Sequence, residues 1–160
     1  MNSHHYRAKS SLWFAVLAGS LVAVVTVSLE FGNAQVQSDR ETLVREFVAA
    51  FNTRNIEGML EVADENVQWL SIKETKVTIE TEGKKALRES LERYFRGCPS
   101  CKSSLEWVRQ SGSRLTAMER ASWRDKSGGL KSQAGLSVYE FRNGKILRVY
   151  YFPADVDAPL

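Results

Sequence analysis

Histidine is nearly absent from this 160-residue chain: His4 and His5 are the only two, and both precede the first apolar run. The rest of the chain lacks the side chain that serves most often as general base and as metal ligand. Ser-His-Asp and Cys-His arrangements are therefore excluded there, with nearly all His-ligated metal sites. No metal and no cofactor is expected. Cysteine is scarce as well, with Cys98 and Cys101 the whole complement. A zinc site on them would need two further ligands of suitable type. Basic blocks are missing too. The net charge is +3, and Arg7, Lys9 and Glu30 near the start account for one unit of it. Nucleic acid is not an expected partner.

What is present begins with a leader. His4, His5, Arg7 and Lys9 precede a charge-free, mainly apolar run from Leu12 to Leu29, and Gly32-Asn33-Ala34 follows. Small residues thus stand at the two positions a signal peptidase reads, and residues 1–34 read as a secretory signal. The run is longer than the roughly 7–15 residues of a usual signal core and close to the roughly 20 of a membrane span. An uncleaved N-terminal anchor is the alternative. Either way residues 35–160 form the folded domain, expected outside the cytoplasm as a periplasmic or secreted protein. Membrane contact is expected only if the leader is retained.

The domain opens on helical spacing. Leu43, Val44, Phe47, Val48 and Phe51 recur on one helical face. Ser38 and Glu41 fit a capping box before it. Thr53-Arg54-Asn55 breaks the pattern, and Asn55 can cap a second short helix carrying Ile56, Met59, Leu60 and Ala63. Asp64-Glu65-Asn66 reads as its end, with Val67 and Trp69 opening the first strand. A short second strand covers Val77 to Thr81, and a helix runs from Gly83 to Phe95 with Gly97 as its stop. Strands are expected near 104–110, 114–123, 130–141 and 145–152. Asn143-Gly144 is the strongest hairpin turn in the chain. Helices first and antiparallel strands afterwards argue an α+β fold.

The runs Phe47-Val48-Ala49-Ala50-Phe51-Asn52 and Ala63-Asp64-Glu65-Asn66-Val67 resemble the opening of nuclear transport factor 2 and its relatives, the SnoaL-like proteins and ketosteroid isomerase. The resemblance covers nearly everything after Ser38. It implies a single-domain cone, with a curved, mainly antiparallel sheet wrapped around the N-terminal helices and a cavity at the wide end. It also implies a homodimer, since dimers are common in this fold, and an aromatic on the outer sheet face would suit that contact. Ketosteroid isomerase places a tyrosine, an aspartate base and a second aspartate at positions that match Phe47, Leu70 and Ser137 here. None of the three keeps the required group, so the isomerase mechanism does not carry over.

Three features remain to be weighed. Cys98-Pro99-Ser100-Cys101 follows a helix and precedes a strand, whereas a thioredoxin-type pair opens a helix. A local disulfide in an oxidising compartment is favoured over a redox site. It would contribute up to about 2 kcal/mol in the chain-entropy picture. Glu119 is the remaining carboxylate of interest and the weak candidate for catalysis. If it faced the cavity, burial would suit it to acid–base work. The favoured reading places it outward in a cross-strand pair, because charged residues are rarely buried. Among the aromatics, Trp69, Tyr139 and Tyr151 are candidate cavity lining, with Tyr94 on the third helix.

Three function classes follow: an exported domain binding a small, largely apolar molecule without isomerase chemistry; a SnoaL-like enzyme of isomerase, cyclase or dehydratase type working through Glu119 or cavity tyrosines; and a protein-interaction module. The first is preferred. Its candidate ligand-binding residues are Phe47, Trp69, Leu70, Tyr94, Glu119, Ser137, Tyr139 and Tyr151. N-terminal sequencing of protein from its native host checks the leader. The expected result is a chain starting at Gln35, and an intact leader on membrane-bound protein would replace cleavage by an anchor.

Overall fold

The computed structural model describes residues 39–154. Ser38 and the leader lie outside the described residues, and no helix among the described residues is long and apolar enough to cross a membrane. Helix α1 covers 39–53 and α2 covers Ile56–Val62. Strand β1 is Ala63–Lys73 and β2 is Lys76–Glu82; helix α3 is Gly83–Gly97. Strands β3 (Lys102–Ser111), β4 (Arg114–Arg124), β5 (Leu130–Arg142) and β6 (Lys145–Tyr151) complete the order.

Local chemistry sets most boundaries. Arg54 takes a left-handed φ of 57° between α1 and α2. Its N–H donates to Phe51 O at 3.0 Å and that of Asn55 to Ala50 O at 2.9 Å, which occupies carbonyls at the end of α1. Asn55 then caps α2, its Oδ1 accepting from Gly58 N at 3.0 Å. Asn143 and Gly144 both have positive φ, 51° and 69°, as a two-residue hairpin turn requires.

Two boundaries differ from the sequence reading. Strand β1 begins at Ala63, not Val67, because its pairing with β6 starts at Ala63–Ile146 and absorbs the acidic residues in an irregular stretch before Gln68. Gly97 is the last residue of α3, not a stop beyond it. The end is made instead by Cys98, whose N–H donates to Tyr94 O at 2.8 Å.

The six strands lie in the order β2-β1-β6-β5-β4-β3. Strands β1 and β6 run parallel, and the other neighbouring pairs are antiparallel. Irregularities at Trp69/Leu70, Leu105/Trp107 and Glu140/Phe141 bend the strands and raise their twist. One face meets the helices. Val44, Phe47, Met59, Leu60, Leu87 and Leu91 from the helices pack with Val67, Leu115, Ala117, Tyr139, Ile146 and Val149 from the sheet.

The other face carries a charged row. Arg114 Nε donates to Glu140 Oε1 at 2.8 Å, Arg148 Nη1 to Glu140 Oε2 at 3.2 Å, and Arg148 Nε to Gln68 Oε1 at 2.9 Å. Beside it run Leu136, Met118 and the exposed Trp107, consecutive neighbours across β5, β4 and β3.

Asn52 joins the helical layer to the far edge of the sheet. Its Nδ2 donates to Ser103 O at 2.7 Å and its Oδ1 accepts from Ser103 N at 2.8 Å. One amide thus satisfies both backbone groups of a residue at the start of β3. Asn52→Ala should destabilise the domain by about 1–3 kcal/mol, since both Ser103 groups lose a partner. Chemical denaturation measures it, and an unchanged midpoint would show that the clamp contributes nothing.

Candidate functional site

The apolar faces of α1 and α3 cover only part of the inner sheet face. The uncovered part is a cavity of about 410 Å³, within the roughly 300–1,000 Å³ range of small-molecule sites. One wall is aromatic. Phe47 and Phe51 come from α1, Trp69 from β1, Tyr94 from α3 and Tyr151 from β6. Phe47 and Trp69 meet edge to face with centroids 6.0 Å apart, and Trp69 meets Tyr151 likewise at 5.9 Å. Such pairs hold each other's orientation. The indole Nε1 of Trp69 is buried without a hydrogen-bond partner. Phe152 and Ala154, just past β6, close one side.

The polar part of the lining belongs to β3, β4 and β5: Ser103, Glu119 and Gln133. Glu119 is there because Leu115, Ala117, Glu119 and Ala121 share one face of β4, and the first two are fully buried. Its Oε1 accepts from Ser137 Oγ at 2.6 Å and from the Tyr139 hydroxyl. Its Oε2 has only a long 3.4 Å bond from Ser103 Oγ. Gly135 is the cross-strand partner of Glu119. With no side chain there, none from that rung crowds the carboxylate, and Phe152 and Ala154 pack over the glycine instead. The mouth carries Lys102, whose Nζ donates to Asn52 O. The Cys98–Cys101 disulfide ties the turn between Tyr94 and Lys102, with its Cα atoms 5.4 Å apart.

Five of the eight residues singled out from sequence line this cavity: Phe47, Trp69, Tyr94, Glu119 and Tyr151. Glu119 corrects the outward orientation favoured for it. The base rate for charged residues was outweighed by three hydroxyls, which supply the hydrogen bonds that a half-buried carboxylate needs. Leu70 does not line the cavity, because it is out of phase with Trp69 and in register with Tyr150. Ser137 and Tyr139 are fully buried behind the polar wall and hold Glu119.

Sequence reasoning missed Phe51, Lys102, Ser103, Gln133, Gly135 and Phe152 as lining. Gln133 and Gly135 share the parity of Ser137 and Tyr139 on β5 and were open to the same alternation argument. Phe51 was read only as helix core. Nothing in the sequence marks the segment after β6 as a wall. Among the described residues no group of three or more His, Cys, Asp or Glu could hold a metal ion.

Burial pushes the Tyr139 phenol well above its ordinary 10.0, and the charge of Glu119 adds to this. Tyr151 shifts the same way for the same first cause. The unfolded chain gives up its phenol protons near pH 10, while folded Tyr139 keeps its own. The stability this supplies is complete below about pH 10 and is lost as pH rises from there toward the folded value. Urea denaturation from about pH 8 to about pH 11 should show that loss. Tyr139→Phe should cost about 1–3 kcal/mol at neutral pH and flatten the alkaline decline. Equal slopes in both proteins would exclude Tyr139 as its source.

No curated protein matches the chain. Among solved structures it is similar to Bal32a from a soil-derived mobile gene cassette, with 23% identity and a TM-score of 0.61 over 71% of this chain and 88% of that one. A nuclear transport factor 2-like protein of unknown function from Burkholderia pseudomallei gives 17% identity and a TM-score of 0.61, covering 74% and 92%. A proposed polyketide cyclase from Xanthomonas campestris pv. campestris gives 20% and 0.54, covering 72% and 90%. At these identities the likeness shows the fold, the cone of nuclear transport factor 2, and not the activity. The sequence family described as SnoaL-like domain matches residues 44–149. Those residues hold α2, α3 and nearly all of the sheet, and with them most of the cavity, so this chain belongs to the SnoaL-like domain family.

Proposed function

We propose that the cavity binds a small, largely apolar molecule that presents one hydrogen-bond donor to Glu119, in a protein that works outside the cytoplasm. The observation that carries this is the division of labour on one carboxylate. Oε1 takes both close donors, and Oε2 keeps only a 3.4 Å contact at the cavity. The aromatic wall supplies apolar contact area, and a few placed polar groups fix orientation, the usual make-up of small-molecule sites. The local disulfide supports an oxidising compartment. Isomerase chemistry of the ketosteroid kind finds no support at the matching positions. Phe47 has no hydroxyl, Leu70 stands outside the cavity and Ser137 lies behind its wall.

A second reading rests on the same free oxygen. A carboxylate oxygen facing a cavity can take a proton from a bound molecule if the ligand places an acidic C–H or O–H within reach. Binding and proton transfer separate experimentally. 2-Naphthol and naphthalene share an apolar body, and only the first has a donor. The purified domain should bind 2-naphthol about tenfold or more tightly, and Glu119→Gln should remove most of that difference. A glutamine can keep its carbonyl oxygen on the Ser137 and Tyr139 hydroxyls and turn its NH2 to the ligand, so the acceptor is lost while the fold is kept. Equal binding of the two probes would sink the role of Glu119. Turnover of a β,γ-unsaturated ketosteroid, abolished by the same change, would establish proton transfer instead.

A further inference from the structure

Resting on that small-molecule reading, we infer that the natural occupant is an organic cation: an ammonium group on an apolar body, with the ammonium at Glu119 and the body against the aromatic wall. The argument is a balance of charge. Two charged side chains line the cavity, Glu119 and Lys102. Lys102 is exposed, so water screens its charge. Its Nζ donates to Asn52 O, one of the last carbonyls of α1, where a helix end favours a cation. Glu119 has no ion-pair partner among the described residues. Its neighbour Arg120 serves the opposite face of the sheet, where Nε meets Glu106 Oε1 at 2.5 Å and Nη1 meets Ser132 Oγ at 3.1 Å.

The hydroxyls of Ser137, Tyr139 and Ser103 give Glu119 hydrogen bonds and no charge. Glu119 is only half-buried, but a ligand in the cavity displaces the water beside it, and hydrogen bonds alone then leave its ionic field uncompensated. A neutral donor would fill one lone pair of Oε2 and leave that field as it is. An anion would add to it. A cation answers it.

Two further features point the same way. The rings of Trp69, Phe47 and Tyr151 form a connected cluster in the same lining, and aromatic faces attract cations through their quadrupoles. Gly135 stands opposite Glu119 in register and also lines the cavity, so no side chain from that rung competes with a ligand for the carboxylate. A Cβ built at Gly135 makes only ordinary contacts of 3.4–3.5 Å, to Phe152 O and Ala154. A larger side chain there is therefore sterically admissible at the backbone and would grow into the ligand's space.

Three probes of one shape test the inference: 1-naphthylmethylammonium, 1-naphthylmethanol and 1-naphthoate, titrated calorimetrically into the folded domain at neutral pH. The ammonium should bind about tenfold or more tightly than the alcohol, and the carboxylate weakest. In Glu119→Gln the ammonium and alcohol should come within about threefold of each other. Lys102→Gln should leave the ammonium's lead intact or widen it, because it removes a like charge at the mouth. Gly135→Leu should weaken all three probes. The wild-type ranking stands even if a variant fails to fold. An alcohol that binds as well as the ammonium overturns the cation inference and leaves the small-molecule reading in place. An ammonium lead that survives in folded Glu119→Gln overturns it too. If none of the three binds, both fall.

Discussion

Leu87 and Leu91 of α3, Val44 and Phe47 of α1, and Leu115, Tyr139 and Val149 of the sheet all meet with almost no exposure. Each such side chain contributes about 1.5–3 kcal/mol when taken from water, against the large entropy cost of ordering the chain. The rest of the architecture follows from this packing. Two longer helices and a short one cannot cover a six-stranded, bulged sheet completely. Where they end, the inner face carries on as cavity wall, and the residue types change with it. Leu115 and Ala117 are core, and Glu119, two positions further along the same strand face, is site.

That continuity explains how a carboxylate comes to be tolerated there. A charge at this position must find its hydrogen bonds inside the fold, and β5 provides them from the adjoining rungs. Ser137 and Tyr139 have no exposure, so they are fixed by packing before they are fixed by Glu119. The carboxylate is thus held by the core itself, which is how a site becomes precise without a rigid loop around it. Asn52 and the disulfide do the same for the rim, holding Ser103 and Lys102 at the mouth.

Much of the fold was legible because it rests on short-range rules. Helical spacing gave α1 and α2, Asn55 its cap, and Asn143-Gly144 its turn. The site was half legible. Alternation along β4 groups Glu119 with Leu115 and Ala117, and that parity argument was available in the sequence. It lost to a base rate about charged residues because the compensating hydroxyls are supplied by two other strands, whose register no local pattern reveals. Leu70 failed for a different reason: it adjoins Trp69 and is out of phase with it, so alternation alone sets the two on opposite faces. The wall past β6 depends on where a terminal segment docks, which composition does not encode.

The parallel pairing of β1 with β6 also bears on how the domain can be made. Gln68 and Arg148, neighbours in the finished sheet, stand 80 positions apart. As the chain leaves the ribosome, β1 waits with one edge open until the last strand arrives. Contacts this distant slow folding, and open edges invite wrong partners in the meantime. The last strand is also third in the order β2-β1-β6-β5-β4-β3, away from both edges. A chain cut before Lys145 would therefore not trim the sheet but divide it, leaving the β2–β1 pair and the β5–β4–β3 group with no strand between them.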